Sequence, residues 1–386
     1  MFDFDRVTDR RGTWSVQWDG VADRFGVGEL LPFTISDMDF PSPPAVLDAL
    51  RARVDHGVFG YTDWRLGEFR EAVREWSVSR YDTPLDISRL VYAPSVLSQL
   101  SQLLRMWTAP GDGIVVHSPT YDGFRKAVTG LGRELRGVPV GDEEALEAEL
   151  ARPDSRMLLL CSPHNPTGRV WREDELARFA ALAERHGTAV VSDEIHADLV
   201  AEGRRHLPWS RFAEAGRGRR WAVVTSATKA FNFPALTGSY GIIGDPEERE
   251  AFVRRMETGE GLASPAVLSL TAHIAAYRRG APWLDELRTY LAGTMRMVAR
   301  RLADGLPEVE WTPPQAGYLA WIDLRPLGID EDALQRELIG TEKVAVMPGG
   351  VYGTPGFVRL NVGCPRAKAE RGVDALVRAA GRLRTR

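Results

Sequence analysis

The stretch MLLLCSPHNPTGRVWREDELARFAALAERHGTAVVSDEIHADL, residues 157–199, contains the pattern that decides the fold. It opens with an aliphatic run that ends in a polar cluster rich in turn-forming residues. Residues 173–187 then have the apolar spacing of an amphipathic helix, and a second aliphatic run ends in another polar cluster. Two aliphatic strands joined by a helix are typical of a parallel sheet that is buried on both faces.

The same pattern occurs at GIVVHSPTYDGF (113–124) and at WAVVTSATKAFN (221–232). We therefore predict an α/β fold with a mostly parallel sheet flanked by helices. In such sheets, ligands bind beyond the carboxyl ends of the strands. Each polar cluster follows a strand end of this kind, so we expect the clusters to lie close together.

The two ends of the chain differ from this middle region. Residues 1–44 show little periodicity and many turn signals. From about Pro282 the sequence has a long helical pattern, which is followed by alternating runs such as GYLAWIDL and GFVRLNVGC. We predict a large α/β domain over residues 45–280 and a smaller α+β domain over residues 281–386, which the N-terminal segment joins.

The composition narrows the classes of function. The chain has 386 residues, of which 44% are hydrophobic and 26% charged, as in an ordinary soluble globular protein. The net charge of −4 argues against a nucleic-acid partner, which would favour a concentrated basic face. The longest aliphatic runs are far shorter than a membrane span, and the first residues lack the apolar stretch of a secretory signal. We therefore expect a cytoplasmic protein with no membrane partner.

The sequence shows no metal or nucleotide motif. No two of the seven histidines stand at metal-ligand spacing, so we predict no metal site. Cys161 and Cys364 form no disulfide framework, which suggests a reducing compartment. No Gly-x-Gly-x-x-Gly motif opens a helix after a strand, and no Walker motif is present, which disfavours a nicotinamide or P-loop nucleotide.

Lysine is rare in this chain. Among 49 lysines and arginines there are only four lysines, which are Lys126, Lys229, Lys343 and Lys368. A lysine retained in such an arginine-rich chain suggests amine chemistry, because a buried amine can lose its proton and attack a carbonyl whereas arginine stays protonated. Chance retention is the alternative. Lys229 follows a strand-like run, as the other polar clusters do.

The strand-end clusters together suit one kind of cofactor. Their chemically useful side chains are Tyr121, Asn165, Asp193, His196, Ser226 and Lys229. The set matches an aromatic cofactor with an aldehyde, a ring nitrogen and a phosphate, and pyridoxal 5′-phosphate (PLP) has all three. A lysine forms the Schiff base with this cofactor and a carboxylate partners its pyridinium nitrogen. Its phosphate favours hydroxyls and a helix N-terminus.

Six motifs support this interpretation along nearly the whole chain. In order, they are SDMDFPSPPAV, FGYTDW, SPHNPTGRVW, SDEIHADLV, SATKAFN and GFVRLNVGCPR. With these motifs the chain resembles the fold-type-I PLP enzymes of the class I/II aminotransferase superfamily. Within that superfamily it looks like the MalY/PatB-type C–S lyases, also called cystathionine β-lyase-like enzymes.

The resemblance implies roles for the residues that surround the cofactor ring. Lys229 would form the Schiff base and move protons, and Asp193 would partner the pyridinium nitrogen. Asn165 and His196 would donate hydrogen bonds to the ring O3′, and Tyr121 would stack on the ring. Judged from the residues alone, Asp193 could instead cap the next helix. Likewise, Asn165 could be a turn residue and Tyr121 could fill the core.

The resemblance also implies a phosphate site. It would consist of the Ser226 hydroxyl and the backbone N–H groups of Val96 and Leu97, in the segment YAPSVLSQL. Ser95 in that segment departs from the family, which usually has glycine there. Thr237 is a second departure, because many aminotransferases have an arginine at that position.

Tyr61 offers a compensation for the missing arginine. In FGYTDW it resembles a tyrosine that reaches the phosphate from the partner subunit. The expected assembly is therefore a homodimer with shared active sites. The alternative is that Tyr61 packs in the core of its own subunit.

Arg359, in FVRLNV, matches the family's arginine that holds the α-carboxylate of an amino-acid substrate through two parallel hydrogen bonds. Two positions that resemble the edges of the substrate pocket depart from the family. Gly317 stands where threonine is more frequent, and Tyr352 stands where phenylalanine is usual.

The resemblance implies a PLP-dependent β-elimination. The substrate would be cystathionine or a related cysteine S-conjugate, and the products would be a thiol, pyruvate and ammonia. Lys229 would remove the Cα proton, which requires that its site keep the amine neutral. An aminotransferase is the alternative activity, and a PLP-fold protein with a mainly regulatory binding role is a third interpretation.

Overall fold

Two β-sheets organise the computed structural model, which describes residues 2–213 and 220–384. The strands are β1 (Leu31–Phe33), β2 (Leu90–Ala93), β3 (Gly113–Ser118), β4 (Glu134–Pro139), β5 (Ser155–Cys161), β6 (Ala189–Asp193), β7 (Trp221–Thr225), β8 (Ser239–Ile243), β9 (Leu319–Asp323), β10 (Val344–Pro348) and β11 (Phe357–Asn361). The α-helices are α1 (Val21–Phe25), α2 (Pro44–His56), α3 (Gly67–Tyr81), α4 (Val96–Trp107), α5 (Asp122–Gly130), α6 (Glu143–Leu150), α7 (Glu173–His186), α8 (Ser210–Ala213), α9 (Pro246–Arg254), α10 (Val267–Arg279), α11 (Ala281–Gly305), α12 (Glu331–Glu337) and α13 (Arg366–Arg384).

The larger sheet has seven strands in the order β2-β8-β7-β6-β5-β3-β4. All neighbouring pairs from β7 to β4 are parallel, whereas β8 runs antiparallel to both β7 and β2. The aliphatic runs read from the sequence form its central strands, and β6 is buried along its whole length. The predicted α/β class with a mostly parallel sheet is confirmed.

Helix α7 begins and ends where the sequence indicates. Its first residue is Glu173, and the preceding Arg172 N–H donates to the Glu175 carboxylate (2.8 Å), which satisfies a backbone donor before the first turn. Gly187 ends the helix in the left-handed conformation (φ 69°), which glycine adopts without a steric penalty. The helix therefore connects β5 to β6 as the crossover that parallel strands require.

The smaller sheet has four strands in the order β1-β10-β11-β9. Its first strand comes from the N-terminal segment and pairs in parallel with β10, with Leu31 opposite Val344. Helices α11 and α13 pack over this sheet, and Phe33 lies in the apolar core between them. This pairing agrees with the idea that the N-terminal segment joins the smaller domain. The boundaries at 44/45 and 280/281 stay a prediction.

The strand ends determine where a site can form. Because β3, β5, β6 and β7 are parallel, their carboxyl ends meet at one edge of the larger sheet. Cys161, at the end of β5, lies opposite Asp193, at the end of β6. The N-terminus of α4 lines the same cavity beside these ends.

Three further observations concern the cysteines, metal binding and membrane-spanning helices, on which the sequence analysis made predictions. Cys161 and Cys364 are both buried free thiols. Within residues 2–213 and 220–384, no cluster of three or more histidine, cysteine or acidic side chains is arranged to hold a metal ion. None of the helices in these ranges combines the length and the apolar character needed to cross a bilayer.

Candidate active site

A cavity of about 190 Å³ lies at the carboxyl ends of the parallel strands. It brings together the residues that the sequence singled out for cofactor binding, apart from Tyr61. These residues are Val96, Leu97, Tyr121, Asn165, Asp193, His196, Ser226 and Lys229. The expectation that the polar clusters lie close together is confirmed, and we refer to this space as the inner cavity.

Lys229 places its amine in the inner cavity. The Nζ donates a hydrogen bond to the Ser36 carbonyl oxygen (2.7 Å). Burial lowers the pKa of Lys229, the nearby Asp37 and Asp193 carboxylates raise it, and the Arg359 guanidinium lowers it, with a net shift downwards. The amine is therefore easier to deprotonate than an exposed lysine, as a base at neutral pH must be.

Asp193 lies buried at the end of β6. Burial raises the pKa of its carboxyl to about 7, because the ionised form loses its hydration. The Oδ1 accepts a hydrogen bond from the Ile195 N–H (3.0 Å), so the side chain does stabilise the local turn. It also lines the inner cavity, where a cationic or N–H partner would favour its ionised form.

Asn165 and Arg359 connect the two sheets. Asn165 follows β5 of the larger sheet, and Arg359 belongs to β11 of the smaller one. The Arg359 Nη1 donates to the Asn165 Oδ1 (3.2 Å) and Nη2 donates to the Thr34 carbonyl oxygen (2.8 Å). The guanidinium also lies 4.6 Å from the centre of the Tyr352 ring. With its oxygen occupied, Asn165 has its amide N–H groups left to donate into the cavity.

His196 and Tyr121 line the inner cavity as neutral side chains. Burial lowers the pKa of His196 to about 3, so the imidazole is uncharged at neutral pH. Burial raises the pKa of Tyr121 to about 12, so its phenol keeps its proton. The Tyr121 ring contacts Phe124 edge to face, with ring centres 5.6 Å apart. It therefore packs against the core and also faces the cavity.

The N-terminus of α4 forms one end of the inner cavity. Val96 is the first helical residue, and the first N–H groups of a helix have no acceptor within it. Ser95 is the N-cap, and its Oγ accepts a hydrogen bond from the Ser98 N–H (3.1 Å). The departure from glycine at this position therefore supplies a side-chain cap. Thr237, the second departure, also lines the cavity.

The Ser226 hydroxyl has partners within the chain. Its Oγ donates to the Gly238 carbonyl oxygen (2.7 Å), accepts from the Thr228 N–H (3.2 Å) and lies 3.0 Å from the His273 Nε2. A phosphate contact by Ser226 would therefore have to replace or share one of these bonds. Thr228 lines the same cavity, and sequence reasoning did not select it.

A second cavity of about 500 Å³ adjoins the first, because Ser36, Tyr121 and Lys229 line both. We call it the outer cavity. Arg359 and Tyr352 line this space and not the inner cavity. Gly317, the other departure at the expected pocket edge, is not among the residues that line either cavity, and its φ of +84° would strain a threonine.

The N-terminal loop that contacts Lys229 contains residues of the site that sequence reasoning did not select. Ser36 and Asp37 line the outer cavity, and the Ser36 carbonyl oxygen also accepts a hydrogen bond from the Tyr318 hydroxyl (3.0 Å). The motif SDMDF covers this loop. The hydrogen bond from Lys229, however, is accepted by a backbone carbonyl oxygen, and the residue type does not predict which backbone oxygen will accept. The unusual density of acidic residues in SDMDF was the available signal.

Tyr61 lies outside both cavities within this chain. Its side chain is 100% exposed, so the alternative that it packs in the core of its own subunit is wrong. The prediction that it reaches a partner subunit's phosphate site stays a prediction.

Comparisons with known proteins agree along nearly the whole chain. Residues 28–376 match the sequence family described as aminotransferase class I and II. The chain is 51% identical to Protein MalY of Escherichia coli (strain K12), over 98% of this chain and 99% of MalY. It is 38% identical to the cystathionine β-lyase PatB of Bacillus subtilis (strain 168), over 96% of this chain and 97% of PatB. The crystal structure of the PLP-bound C–S lyase from Staphylococcus hominis superposes with a TM-score of 0.92 at 27% identity, covering 98% of both chains.

These matches confirm the predicted family. The matched stretches cover 98% of this chain for MalY and 96% for PatB. The chain therefore belongs to the class I and II aminotransferase family and, within it, to the group that contains MalY and PatB.

Proposed function

We propose that the protein is a PLP-dependent C–S β-lyase, which cleaves cystathionine or a related cysteine S-conjugate to a thiol, pyruvate and ammonia. The proposal depends on one observation, which is that the partly buried Lys229 lines two adjoining cavities, one of which suits the cofactor and the other the substrate. The names of PatB and of the Staphylococcus hominis enzyme support the reaction type.

The inner cavity fits PLP in charge and hydrogen bonding. The buried Asp193 carboxylate would gain a cationic partner in the pyridinium nitrogen. The Asn165 amide and the neutral His196 imidazole would donate to the ring oxygen, and the Tyr121 ring would cover one face. The α4 N-terminus at Val96 would hold the phosphate through backbone N–H groups. When bound, PLP supplies an electron sink that stabilises negative charge at the substrate Cα.

The other chemical tasks fall to side chains of this protein. The neutral Lys229 amine would remove the Cα proton, and its lowered pKa makes the neutral form accessible. Arg359 would bind the substrate α-carboxylate through two N–H groups, because its guanidinium is buried and still lines the outer cavity. The stacked Tyr352 ring would hold that guanidinium in place.

Transamination is the second candidate activity. It is favoured by the family description, aminotransferase class I and II. The two reactions begin with the same proton removal by Lys229 and differ in where the proton is returned and in whether Cβ carries a leaving group. The same cavity residues would serve both reactions.

A direct assay distinguishes the two reactions. Purified protein is incubated with cystathionine, with S-alkyl cysteines and with amino-acid/keto-acid pairs, while thiol, pyruvate and ammonia are measured. We expect stoichiometric thiol, pyruvate and ammonia from the sulfur-containing substrates. Amino-group transfer without thiol release would contradict the lyase proposal and support the aminotransferase alternative.

The proposed assembly is a homodimer with shared active sites. The Tyr61 side chain is fully exposed, and neighbouring apolar side chains at Val58, Phe59 and Leu66 are more than half exposed. The adjacent Thr62 is fixed, because its hydroxyl donates to the Pro265 carbonyl oxygen (2.6 Å). An exposed apolar segment on an anchored loop supports contact with a second subunit. A cytoplasmic location stays a prediction.

A further inference from the structure

The N-terminal loop of residues 36–40 is held firmly beside Lys229. The Asn232 side chain accepts from the Met38 N–H (2.9 Å) and donates to the Met38 carbonyl oxygen (2.9 Å). The Asn361 amide donates to the Asp37 carbonyl oxygen (2.7 Å). Side chains from the segment after β7 (Asn232) and from the last residue of β11 (Asn361) therefore fix the backbone of this loop, and with it the position from which the Asp37 side chain extends.

The Ser36 carbonyl provides a fixed acceptor for the free amine. The Lys229 Nζ and the Tyr318 hydroxyl both donate to this oxygen, at 2.7 Å and 3.0 Å. Tyr318 is fully buried, so its hydroxyl keeps the carbonyl in a constant orientation. The amine of Lys229 is consequently held at the point where the inner and outer cavities adjoin.

Asp37 has one carboxylate oxygen paired and one unpaired. Its Oδ2 forms an ion pair with the Arg10 Nη2 (2.6 Å), whereas its buried Oδ1 has no hydrogen-bond partner among the described residues. Asp37 and Lys229 both line the outer cavity. An unpaired carboxylate oxygen beside the outer cavity can accept a hydrogen bond from an ammonium group that forms there.

We propose that the Ser36 carbonyl and the Asp37 carboxylate together hold the Lys229 ammonium that forms when the amine takes the substrate Cα proton. The proposal rests on the proposed function, because it assigns this proton removal to Lys229. The Cα–H bond breaks, a bond forms between the proton and Nζ, and the electron pair forms the Cα–Cβ double bond as the C–S bond breaks. The ammonium then gives its proton to the departing thiolate. Asp37 is thus a positioning residue for Lys229.

The charges around Lys229 predict opposite changes in its pKa for two different substitutions. The titratable groups that interact electrostatically with the amine are Asp37 on the N-terminal loop, Asp193 at the end of β6, His196 after β6, and Arg359 on β11. Burial lowers the pKa of Lys229 and the Asp37 charge opposes that shift. Removing the Asp37 charge must therefore lower the pKa of Lys229 further, whereas removing the Arg10 charge that neutralises Asp37 must raise it.

The test measures the titration of Lys229 in the full chain without added cofactor. Reductive ¹³C-methylation labels the lysines for NMR, and with only four lysines the Lys229 signal is identified by its loss in Lys229→Ala. For Asp37→Asn we expect the titration midpoint of Lys229 to fall by about one pH unit. For Arg10→Gln we expect it to rise. Circular dichroism verifies the fold of each sample.

Asp122→Asn is the matched control. Asp122 also lines the outer cavity and pairs with Lys126 (2.6 Å), but it is not among the groups that face Lys229. We expect the Lys229 midpoint in this variant to equal that of the unaltered protein. If Asp37 only supports the loop, the two test variants will move the midpoint in the same direction or leave it unchanged, which overturns the proposal. If Asp37→Asn fails to fold, the direction seen for Arg10→Gln decides alone.

A second measurement uses the cofactor-loaded enzyme. We expect Asp37→Asn to lower kcat about tenfold with little change in KM, because only the proton-transfer step loses an interaction. An unchanged kcat would also refute the inference. The NMR result needs neither cofactor nor turnover, so it shows whether Asp37 stabilises the Lys229 ammonium even if the proposed reaction proves wrong.

Discussion

Replacing Asp193 with asparagine should make the cofactor-free protein more stable and the enzyme inactive. The carboxyl is buried, and burial raises its pKa from an ordinary value of 3.8 to about 7. The folded protein therefore binds a proton more tightly than the unfolded chain, and stability is lost as the pH rises from 3.8 to about 7. Asparagine has no charge to bury, so this loss disappears in the variant.

The structure sets the size of the effect. Each pH unit within that window corresponds to about 1.4 kcal/mol, so the ionised carboxylate costs about 4 kcal/mol in total. About two pH units of the window lie above pH 5. The stability gained by Asp193→Asn should therefore be larger by about 3 kcal/mol at pH 8 than at pH 5.

Urea unfolding of the unaltered protein and of Asp193→Asn at pH 5 and pH 8 measures this difference. The contributions of all other titrating groups cancel, because both proteins contain them. Asp39→Asn is a suitable control. Although burial raises the pKa of Asp39, its bonds to Lys368 (2.6 Å) and Arg10 (3.0 Å) hold it below the ordinary value. Its replacement should destabilise the protein equally at pH 5 and pH 8. If the effect of Asp193→Asn is likewise the same at both pH values, the argument from burial is refuted.

Three further outcomes are expected. Borohydride reduction of the PLP-loaded protein should attach the cofactor to Lys229, and mass spectrometry that finds it on another lysine would contradict the central assignment. Arg359→Lys should lower kcat/KM by roughly tenfold to a hundredfold, because one charged hydrogen bond contributes about 1.5–3 kcal/mol, and an equal value in steady-state assays would exclude carboxylate binding by Arg359. Mixing inactive Lys229→Ala and Tyr61→Ala proteins should restore up to about a quarter of the activity of the unaltered protein. If the sites are shared, a mixed dimer has one site with both substitutions and one site with neither. If each site is built from one chain, the mixture stays inactive.

The sequence was informative where local pattern determines structure. The helix over residues 173–186 follows from apolar spacing and from Gly187, and the buried strands follow from their aliphatic runs. The meeting of Asp193 with Lys229 follows from parallel topology, since adjacent strand ends share one edge of the sheet.

Other features depend on contacts that local pattern does not contain. Arg359 is one arginine among many, and only its motif identified it. Its strand belongs to the smaller sheet, so the rule for the strand ends of the larger sheet does not point to it. The hydrogen bond from Lys229 to Ser36 joins residues that are far apart in sequence and uses a backbone oxygen. The internal partners of the Ser226 hydroxyl depend on the packing of His273, which no spacing rule predicts.

The pairing of β1 with β10 has a consequence for how the protein forms during synthesis. Leu31 lies opposite Val344, so these two paired residues are 313 positions apart in the chain. At about 5–20 residues per second, roughly 15 to 60 seconds pass between the synthesis of these partners. Until then β1 has no β10 to pair with, and the loop that carries Ser36 and Asp37 lacks its hydrogen bond from Asn361, whereas the larger sheet can fold first. The base of the reaction would thus be buried in its final surroundings only after most of the polypeptide has left the ribosome, which delays amine chemistry until the enzyme is almost complete.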